Sequence, residues 1–242
     1  MKKLILMLAL ILPTAVSASE GVHLDKAPIN TTNQASLQRG AKIFVNYCLN
    51  CHSASSMRYN RLKDIGLTEE QIKSNLMFTA DKVGQPMTVA MNKKDAMTWF
   101  GATPPDLSVI ARARGADWLY TYMRSFYRDD TRPTGWNNTA FDKVGMPHVL
   151  SELQGEQRLL TSESIDAHGN KAVAHKLTLE KQGALTPAEY DATVADLVNY
   201  LVFMGEPAIN TRTTLGLIVL LFLGLMFIPA YYLKKEFWKD IH

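Results

Sequence analysis

The only two cysteines of this 242-residue chain lie three positions apart and are followed directly by a histidine, in the run Cys48-Leu49-Asn50-Cys51-His52. This is the C-x-x-C-H pattern that attaches c-type haem: two thiols add to the porphyrin vinyl groups, and the imidazole binds the iron. One short helical turn can present both sulfurs to one edge of the macrocycle and bring His52 over the metal. The motif therefore predicts one covalently attached haem c, with Cys48 and Cys51 as attachment points and His52 as an iron ligand.

Two other kinds of site use a closely spaced cysteine pair. A thioredoxin-like dithiol has C-x-x-C but does not require the histidine, and no βαβ pattern surrounds this pair. A zinc site has four ligands, and the sequence contains no second C-x-x-C that would complete it. Haem attachment is the interpretation that uses all three residues of the motif.

The first 18 residues have the layout of a secretory signal peptide. Lys2 and Lys3 precede a short apolar run over residues 4–12, and Val16-Ser17-Ala18 provides a cleavage site of small residues. The apolar run is too short to span a bilayer. We therefore expect cleavage after Ala18 and export of the domain that follows.

A second membrane signal lies near the C-terminus, where no charged residue occurs between Thr213 and Leu233. A helix of about 20 residues spans roughly 30 Å, the thickness of the bilayer hydrocarbon. Aromatic residues and lysines follow the apolar run, which places the tail on the cytoplasmic side. The predicted divisions are a signal peptide (1–18), an exported domain (19–211), a transmembrane helix (212–233) and a cytoplasmic tail (234–242).

The formal net charge of +3 is not a property of the exported domain. The basic excess lies in the signal peptide and the tail, so residues 19–211 are close to neutral. Nucleic-acid binding therefore has no support. About 190 residues can bury one sizeable core, and we expect a single exported domain.

Apolar periodicity and capping residues predict that this domain is mostly helical. One helix begins near Asn33 and runs into the haem motif. The last helix begins at a capping box, Thr186-Pro187-Ala188-Glu189, and ends at Gly205. Gly40, inside the first helix, indicates either a close approach of another helix or simple tolerance of glycine.

Shorter elements are expected between these two helices. The predicted short helices cover residues 69–78, 93–100, 109–114 and 117–127, and the last of them has Trp118, Tyr122 and Phe126 on one face. Asp106 is expected to cap the third of them. Residues 129–147 are rich in Gly, Pro, Asn and Asp and predict an irregular loop, whereas 159–180 predict a small hairpin.

The second axial ligand of the iron has to come from another part of the chain. Several methionines of the exported domain lie on predicted helices, where methionine usually fills the core. Met146 lies instead in the loop Val144-Gly145-Met146-Pro147-His148, which can place a thioether over a flat ring. We predict Met146 as the second ligand, with His148 as the alternative that would give bis-histidine ligation. With both axial positions filled by protein, the iron would favour electron transfer over catalysis on a bound substrate.

Several segments of the chain resemble the cytochrome c1 family, in the order in which that family has them. The C-x-x-C-H motif alone is shared by all c-type cytochromes, but its combination with a Pro-Pro-Asp-Leu-Ser segment and a membrane tail is more specific. The signal peptide and basic tail indicate a bacterial member. The segments that carry the resemblance are 36–53, Pro104-Pro105-Asp106-Leu107-Ser108, Arg112-Ala113-Arg114, Gly145-Met146-Pro147 and 233–239.

The resemblance implies the haem-bearing subunit of a cytochrome bc1 complex, a quinol:cytochrome c oxidoreductase. Such a subunit takes electrons from the Rieske iron–sulfur protein and passes them to a soluble or membrane-bound cytochrome c. Its other implied partner is cytochrome b, in a dimeric complex of the bacterial inner membrane with the haem domain in the periplasm.

The resemblance also bears on individual residues. It supports Met146 as the sixth ligand and implies that Arg114 pairs with a haem propionate, a suitable partner for a guanidinium. Trp118 lies where the family usually has a tyrosine near the propionates, which leaves an indole N–H in place of a hydroxyl. For Gly40, the resemblance favours packing against the last helix, near Tyr200.

We therefore expect a mostly α, cytochrome c-like haem domain with a small irregular or β insertion and one C-terminal transmembrane helix. The expected role is that of an electron-transfer subunit in which no side chain acts as acid, base or nucleophile. Two alternatives remain at this point. One is a membrane-anchored cytochrome c that donates directly to a terminal oxidase or reductase, and the other is a haem peroxidase, which would need an open sixth position.

Overall fold

The computed structural model describes residues 23–89, 91–165 and 171–239, and about half of these residues are helical. The predicted signal peptide, 1–18, and the end of the tail, 240–242, lie outside the described residues. The helices are α1 (Gln34–Ile43), α2 (Glu69–Asn75), α3 (Lys93–Phe100), α4 (Ile110–Arg114), α5 (Ala116–Arg124), α6 (Ser151–Gln154), α7 (Pro187–Gly205) and α8 (Ile209–Phe237). A π-helical turn (Phe44–Cys48) extends α1, and a 3-10 helix spans Tyr59–Ile65.

The described strands form three two-stranded antiparallel sheets. The strands are β1 (Ala54–Arg58), β2 (Pro86–Met87), β3 (Phe126–Arg128), β4 (Trp136–Asn138), β5 (Gly155–Ile165) and β6 (Lys171–Gln182). They pair as β1–β2, β3–β4 and β5–β6. The predicted fold class, mostly helical with a small β insertion, is confirmed.

Helix α1 starts where the sequence predicts. The Asn33 side chain accepts a hydrogen bond from the Ser36 N–H at 3.1 Å and caps the helix. The chain then continues through the π-helical turn directly into Cys48. The local sequence thus places the haem motif at the C-terminal end of a helix.

Helices α1 and α7 cross with their backbones in close contact at Gly40. A Cβ at Gly40 would lie against the Asp196 carbonyl oxygen and 2.7 Å from the Tyr200 Cβ. Beside the crossing, the rings of Phe44 and Tyr200 pack with their centroids 5.6 Å apart. The packing interpretation of Gly40 is confirmed, because no side chain fits between the two helices.

Helix α7 begins at the predicted capping box. The Thr186 hydroxyl accepts from the Glu189 N–H at 3.4 Å, and the Glu189 carboxylate accepts from the Thr186 N–H at 2.9 Å. The helix then runs to Gly205 and buries its middle in the core. The residues buried along it include Tyr190, Val194, Leu197, Val198, Tyr200 and Leu201.

An ion-pair network holds the N-terminal segment, α5 and α7 together. Arg124 donates to both carboxylate oxygens of Asp191, at 2.6 and 2.9 Å, and to Asp25 at 2.7 Å. Its guanidinium also lies 4.5 Å from the centre of the Tyr120 ring. The network keeps α5 against α7, and both helices contribute to the cavity described below.

Several of the predicted short elements differ from the observed ones, and α2 ends at Asn75 instead of residue 78. Helix α5 ends at Arg124 instead of continuing to residue 127, because Phe126 pairs with Asn138 in the β3–β4 sheet. Strand β4 of this sheet lies within residues 129–147, which the sequence predicts to be an irregular loop. The predicted hairpin is present but longer than 159–180, since β5 and β6 pair from Gly155 with Gln182 to Ile165 with Lys171.

The described residues contain one helix long and apolar enough to cross a membrane, and that helix is α8. It runs from Ile209 to Phe237 and so extends beyond both ends of the predicted transmembrane helix, 212–233. Its apolar side chains are exposed, with Leu220 at 68% and Leu221 at 67%. An apolar helix that buries nothing within its own chain suits a lipid environment.

Candidate functional site

All six residues predicted for the haem site line a single cavity of about 310 Å³. Five parts of the chain form its walls: the haem motif, the segment that precedes α4, helix α5 itself, the loop that precedes α6, and helix α7. Apart from the predicted residues the lining is largely apolar. It includes Tyr47, Phe100, Pro104, Pro105, Leu107, Ile110, Leu119, Tyr122, Met123, Phe141, Val144, Pro147, Val149, Leu197 and Leu201.

The two cysteines of the motif are free thiols on a tight turn. The N–H groups of Cys51 and His52 both donate to the Cys48 carbonyl oxygen, at 3.1 and 2.9 Å. Burial raises the pKa of Cys48 to about 12 and also raises that of Cys51. Both side chains are therefore protonated, reduced thiols at neutral pH.

His52 is oriented by a backbone carbonyl from a distant segment. Its Nδ1 lies 2.8 Å from the Pro105 carbonyl oxygen, which can only accept, so Nδ1 carries the proton. Burial lowers the pKa of His52, although the bond to Pro105 raises it in part. The neutral ring thus has an unprotonated Nε2, which is the tautomer that binds a metal.

Asp106 holds the Pro105 carbonyl in place. The prediction that Asp106 caps α4 is wrong. Its carboxylate accepts from the Ser55 N–H and hydroxyl, at 2.9 and 2.7 Å, and from the Ser108 N–H at 2.8 Å. Burial raises the pKa of Asp106, but the hydrogen bonds from Ser108 and Ser55 outweigh burial and lower it below its usual value. The Leu107 N–H also donates to the Ser53 carbonyl at 2.8 Å. Residues 104–108 are therefore fastened to the chain just beyond the haem motif.

Met146 lies on the wall formed by the loop before α6. Gly145 allows the loop to pass the Phe100 carbonyl oxygen, which would be 2.8 Å from a Cβ at position 145. The Met146 sulfur accepts a hydrogen bond from the Tyr122 hydroxyl at 3.4 Å. Burial raises the pKa of Tyr122 well above its usual value, so this hydroxyl is a donor at any ordinary pH.

His148, the alternative ligand, is buried outside the cavity lining. It is stacked on Phe126 with ring centroids 4.7 Å apart and contacts Trp136 edge-on at 5.0 Å. Burial lowers its pKa to about 4, which keeps the ring neutral. This placement favours Met146 over His148 as the side chain available to a group in the cavity.

Arg114 and Trp118 lie together at the exposed side of the cavity. The Arg114 guanidinium is 5.0 Å from the Trp118 ring and 5.9 Å from the Phe141 ring. Within residues 23–89, 91–165 and 171–239, no carboxylate forms an ion pair with Arg114. A guanidinium fixed on aromatic faces beside an apolar cavity is suited to an incoming carboxylate.

The residues of the cavity fit a covalently bound haem. Two adjacent reduced thiols, an imidazole in the metal-binding tautomer, a thioether and a cation beside an apolar space correspond to the substituents and metal of that group. The donor set offers one nitrogen and one soft sulfur ligand, which suits reversible one-electron chemistry at iron.

Sequence reasoning missed Pro105 and Tyr122 as site residues and assigned Asp106 the wrong contact. The Pro105 carbonyl is a main-chain atom, so the residue type carries no signal for it. Tyr122 lies on the predicted apolar face of α5 together with Trp118, and this shared face was the available signal for its presence at the site.

Comparison with known proteins gives closely similar relatives over the full chain. A model of the cytochrome c1 family matches residues 24–241. The chain is 51% identical to the cytochrome c1 of Allochromatium vinosum, over 100% of both chains. It is 29% identical to the cytochrome c1 of Rhodospirillum rubrum, over 86% of this chain and 83% of the relative. It is also 54% identical to a protein of Nitrosomonas europaea named ammonia monooxygenase gamma subunit, over 98% of this chain and 97% of that one.

Proposed function

Since this chain belongs to the cytochrome c1 family, we propose that it is the haem-bearing subunit of a cytochrome bc1 complex, in which it passes single electrons from a Rieske iron–sulfur protein to a soluble cytochrome c. Members of the family carry covalently bound haem c and are anchored in the membrane, so the predicted cofactor and anchor are confirmed. The donor, the acceptor and the residue roles below are our proposals.

The observation that carries the proposal is that Cys48, Cys51, His52 and Met146 line one cavity. Cys48 and Cys51 would hold the haem covalently, and His52 and Met146 would bind its iron. Bound haem c supplies one-electron cycling between ferric and ferrous iron. A site in which the protein fills both axial positions supports electron transfer over peroxidase chemistry.

The chain's own residues would hold this site in one geometry. The Pro105 carbonyl keeps the His52 imidazole in one tautomer and orientation. Arg114, on the faces of Trp118 and Phe141, would pair with a propionate. The apolar side chains of the cavity would exclude water, which favours the less charged, reduced iron site.

The residues at the end of α8 support the proposed arrangement in the membrane. Lys234 and Lys235 lie in its last turn, and Tyr231, Tyr232 and Trp238 surround them. A basic and aromatic end of this kind supports a cytoplasmic C-terminus, with the haem domain on the periplasmic side. The proposed complex is a dimer that contains cytochrome b and the Rieske protein.

One relative carries a different name, ammonia monooxygenase gamma subunit. We base the proposal on the family instead, because the cytochrome c1 model covers 24–241 and the site residues of this chain form a haem-type donor set.

Purification of the tagged full-length chain from its native membrane tests the proposed complex. We expect cytochrome b and a Rieske protein to copurify, and the preparation to reduce a soluble cytochrome c when a quinol is added. A preparation with a terminal oxidase or with monooxygenase subunits, and without cytochrome b, would overturn the proposal.

Replacement of Met146 tests the proposed iron ligand. In the Met146→Leu variant, we expect loss of the far-red charge-transfer band of methionine-ligated ferric haem and a lower reduction potential, since a soft thioether favours ferrous iron. Absorption spectra and a potentiometric titration measure both effects. Met57→Leu is the matched control, because Met57 is a buried methionine that does not line the cavity.

If the Met146→Leu spectrum were the same as that of the control, Met146 would be a packing residue. His148 would then be the ligand to test next, although its ring would have to leave the Phe126 stack.

A further inference from the structure

The Tyr122 hydroxyl contacts the sulfur of the proposed iron ligand. It donates to Met146 Sδ at 3.4 Å, and this sulfur is its one hydrogen-bond partner among the described residues. Tyr122 lines the cavity and is only 9% exposed. The hydroxyl is therefore a dedicated contact of the thioether inside the cavity.

The Tyr122 ring is held from two sides and from its own backbone. It stacks on Trp118 with centroids 4.8 Å apart and an interplanar angle of 12°, and it packs edge-on against Phe126 at 5.0 Å. Its carbonyl accepts from the Asn138 side chain at 2.8 Å. A ring restrained in this way holds its hydroxyl at a defined position. The hydroxyl has little freedom to move with the Met146 sulfur.

A thioether sulfur has two lone pairs, and these become inequivalent when a donor occupies one of them. We propose that Tyr122 is a positioning residue for Met146: its hydroxyl occupies one lone pair of the sulfur and leaves the other for the metal, so that the ligand has a single configuration. This inference rests on the proposed function, because it requires Met146 to be the iron ligand.

The hydrogen bond also affects the redox equilibrium. A hydrogen-bond donor withdraws electron density from the sulfur. A sulfur that donates less electron density stabilises ferric iron less, so the equilibrium shifts toward ferrous iron. Loss of the hydroxyl should therefore lower the ratio of reduced to oxidised protein at a fixed ambient potential. Because the hydrogen bond is present in both oxidation states, only the difference between its strengths in the two states changes this ratio, and the ordinary net strength of a neutral hydrogen bond sets an upper bound of roughly fivefold.

The test compares Tyr122→Phe with the wild type, as full-length, haem-loaded protein in detergent. Phenylalanine keeps the ring between Trp118 and Phe126 and removes only the hydroxyl. We expect less reduced protein at the same potential, by up to about fivefold, and a second or averaged set of Met146 methyl signals in the proton NMR spectrum. The wild type should show one set.

Tyr200→Phe is the matched control. The Tyr200 hydroxyl is also buried and also lies near a methionine sulfur, that of Met87 at 3.8 Å, but neither residue lines the cavity. This variant should keep the wild-type potential and methyl signals. An equal change in both variants would mean a general packing effect and would overturn the inference.

A measurement on the wild type does not depend on the folding of a variant. In the reduced, diamagnetic protein we expect a nuclear Overhauser contact between the Tyr122 ring and the Met146 methyl group, and its absence would overturn the inference. If Met146→Leu removed the methionine signature while Tyr122→Phe changed nothing, only this inference would fail. If Met146→Leu itself changed nothing, the proposed ligand would fail with it.

Discussion

The Gly40→Ala variant should lose about 3 kcal/mol of unfolding free energy, near the upper end of the usual cost of overpacking a core. An added methyl group would collide with the Asp196 carbonyl, which is backbone and cannot rotate away, and with the Tyr200 Cβ. The gain in helix propensity from Ala, about 1 kcal/mol, is smaller than this cost. Helices α1 and α7 would have to separate, which would open the wall of the cavity. Urea unfolding of the full-length protein in detergent, followed by circular dichroism, measures the loss.

Gly205→Ala is the matched control for this prediction. Gly205 is also a helical glycine, at the end of α7, but a Cβ there would lie 3.4 Å from the flexible Arg112 side chain, an ordinary contact. We expect little change in its unfolding midpoint. Equal stability of the two variants would mean that the helix crossing is not held by close backbone contact.

Replacement of both cysteines should abolish covalent haem attachment. In the Cys48→Ala/Cys51→Ala double variant neither thioether can form, so haem should leave the chain under denaturing conditions and haem staining of a denaturing gel should be lost. Alanine is preferable to serine, because Cys48 is buried and a hydroxyl there would lack a partner. Each single variant should keep one thioether and a shifted absorption maximum of the reduced protein.

Asn50→Ala serves as the control within the motif. Asn50 is exposed and lies between the cysteines, and its side chain bonds only to the Asn46 carbonyl among the described residues. This variant should stain for haem like the wild type. Retention of stain by the double variant would show that another residue attaches the haem.

Much of the fold could be predicted because its signals are local. The Asn33 cap, the Thr186–Glu189 capping box and the apolar run of α8 each lie within one stretch of chain, and each was found where the sequence placed it. The wrong predictions concern elements whose ends depend on contacts with distant parts of the chain. The apolar period of α5 continues through Phe126, but the pairing of Phe126 with Asn138 ends the helix before that residue.

The same distinction applies to the site. The sequence by itself indicated the haem motif, because Cys48, Cys51 and His52 lie on one short turn and are proposed to act on one group. It also indicated Met146, because this methionine lies in a loop, between a glycine and a proline.

Only the tertiary structure decided how these ligands are held. The Pro105 carbonyl that orients His52 is 53 positions away along the chain, and the Tyr122 hydroxyl that contacts Met146 is 24 positions away. One contact is made by a main-chain atom and the other by a side chain on an apolar helix face. The apolar face indicates that Tyr122 is buried, but neither contact can be read from the local sequence, because hydrogen bonds between distant segments depend on how the helices pack and not on the spacing of the residues that form them.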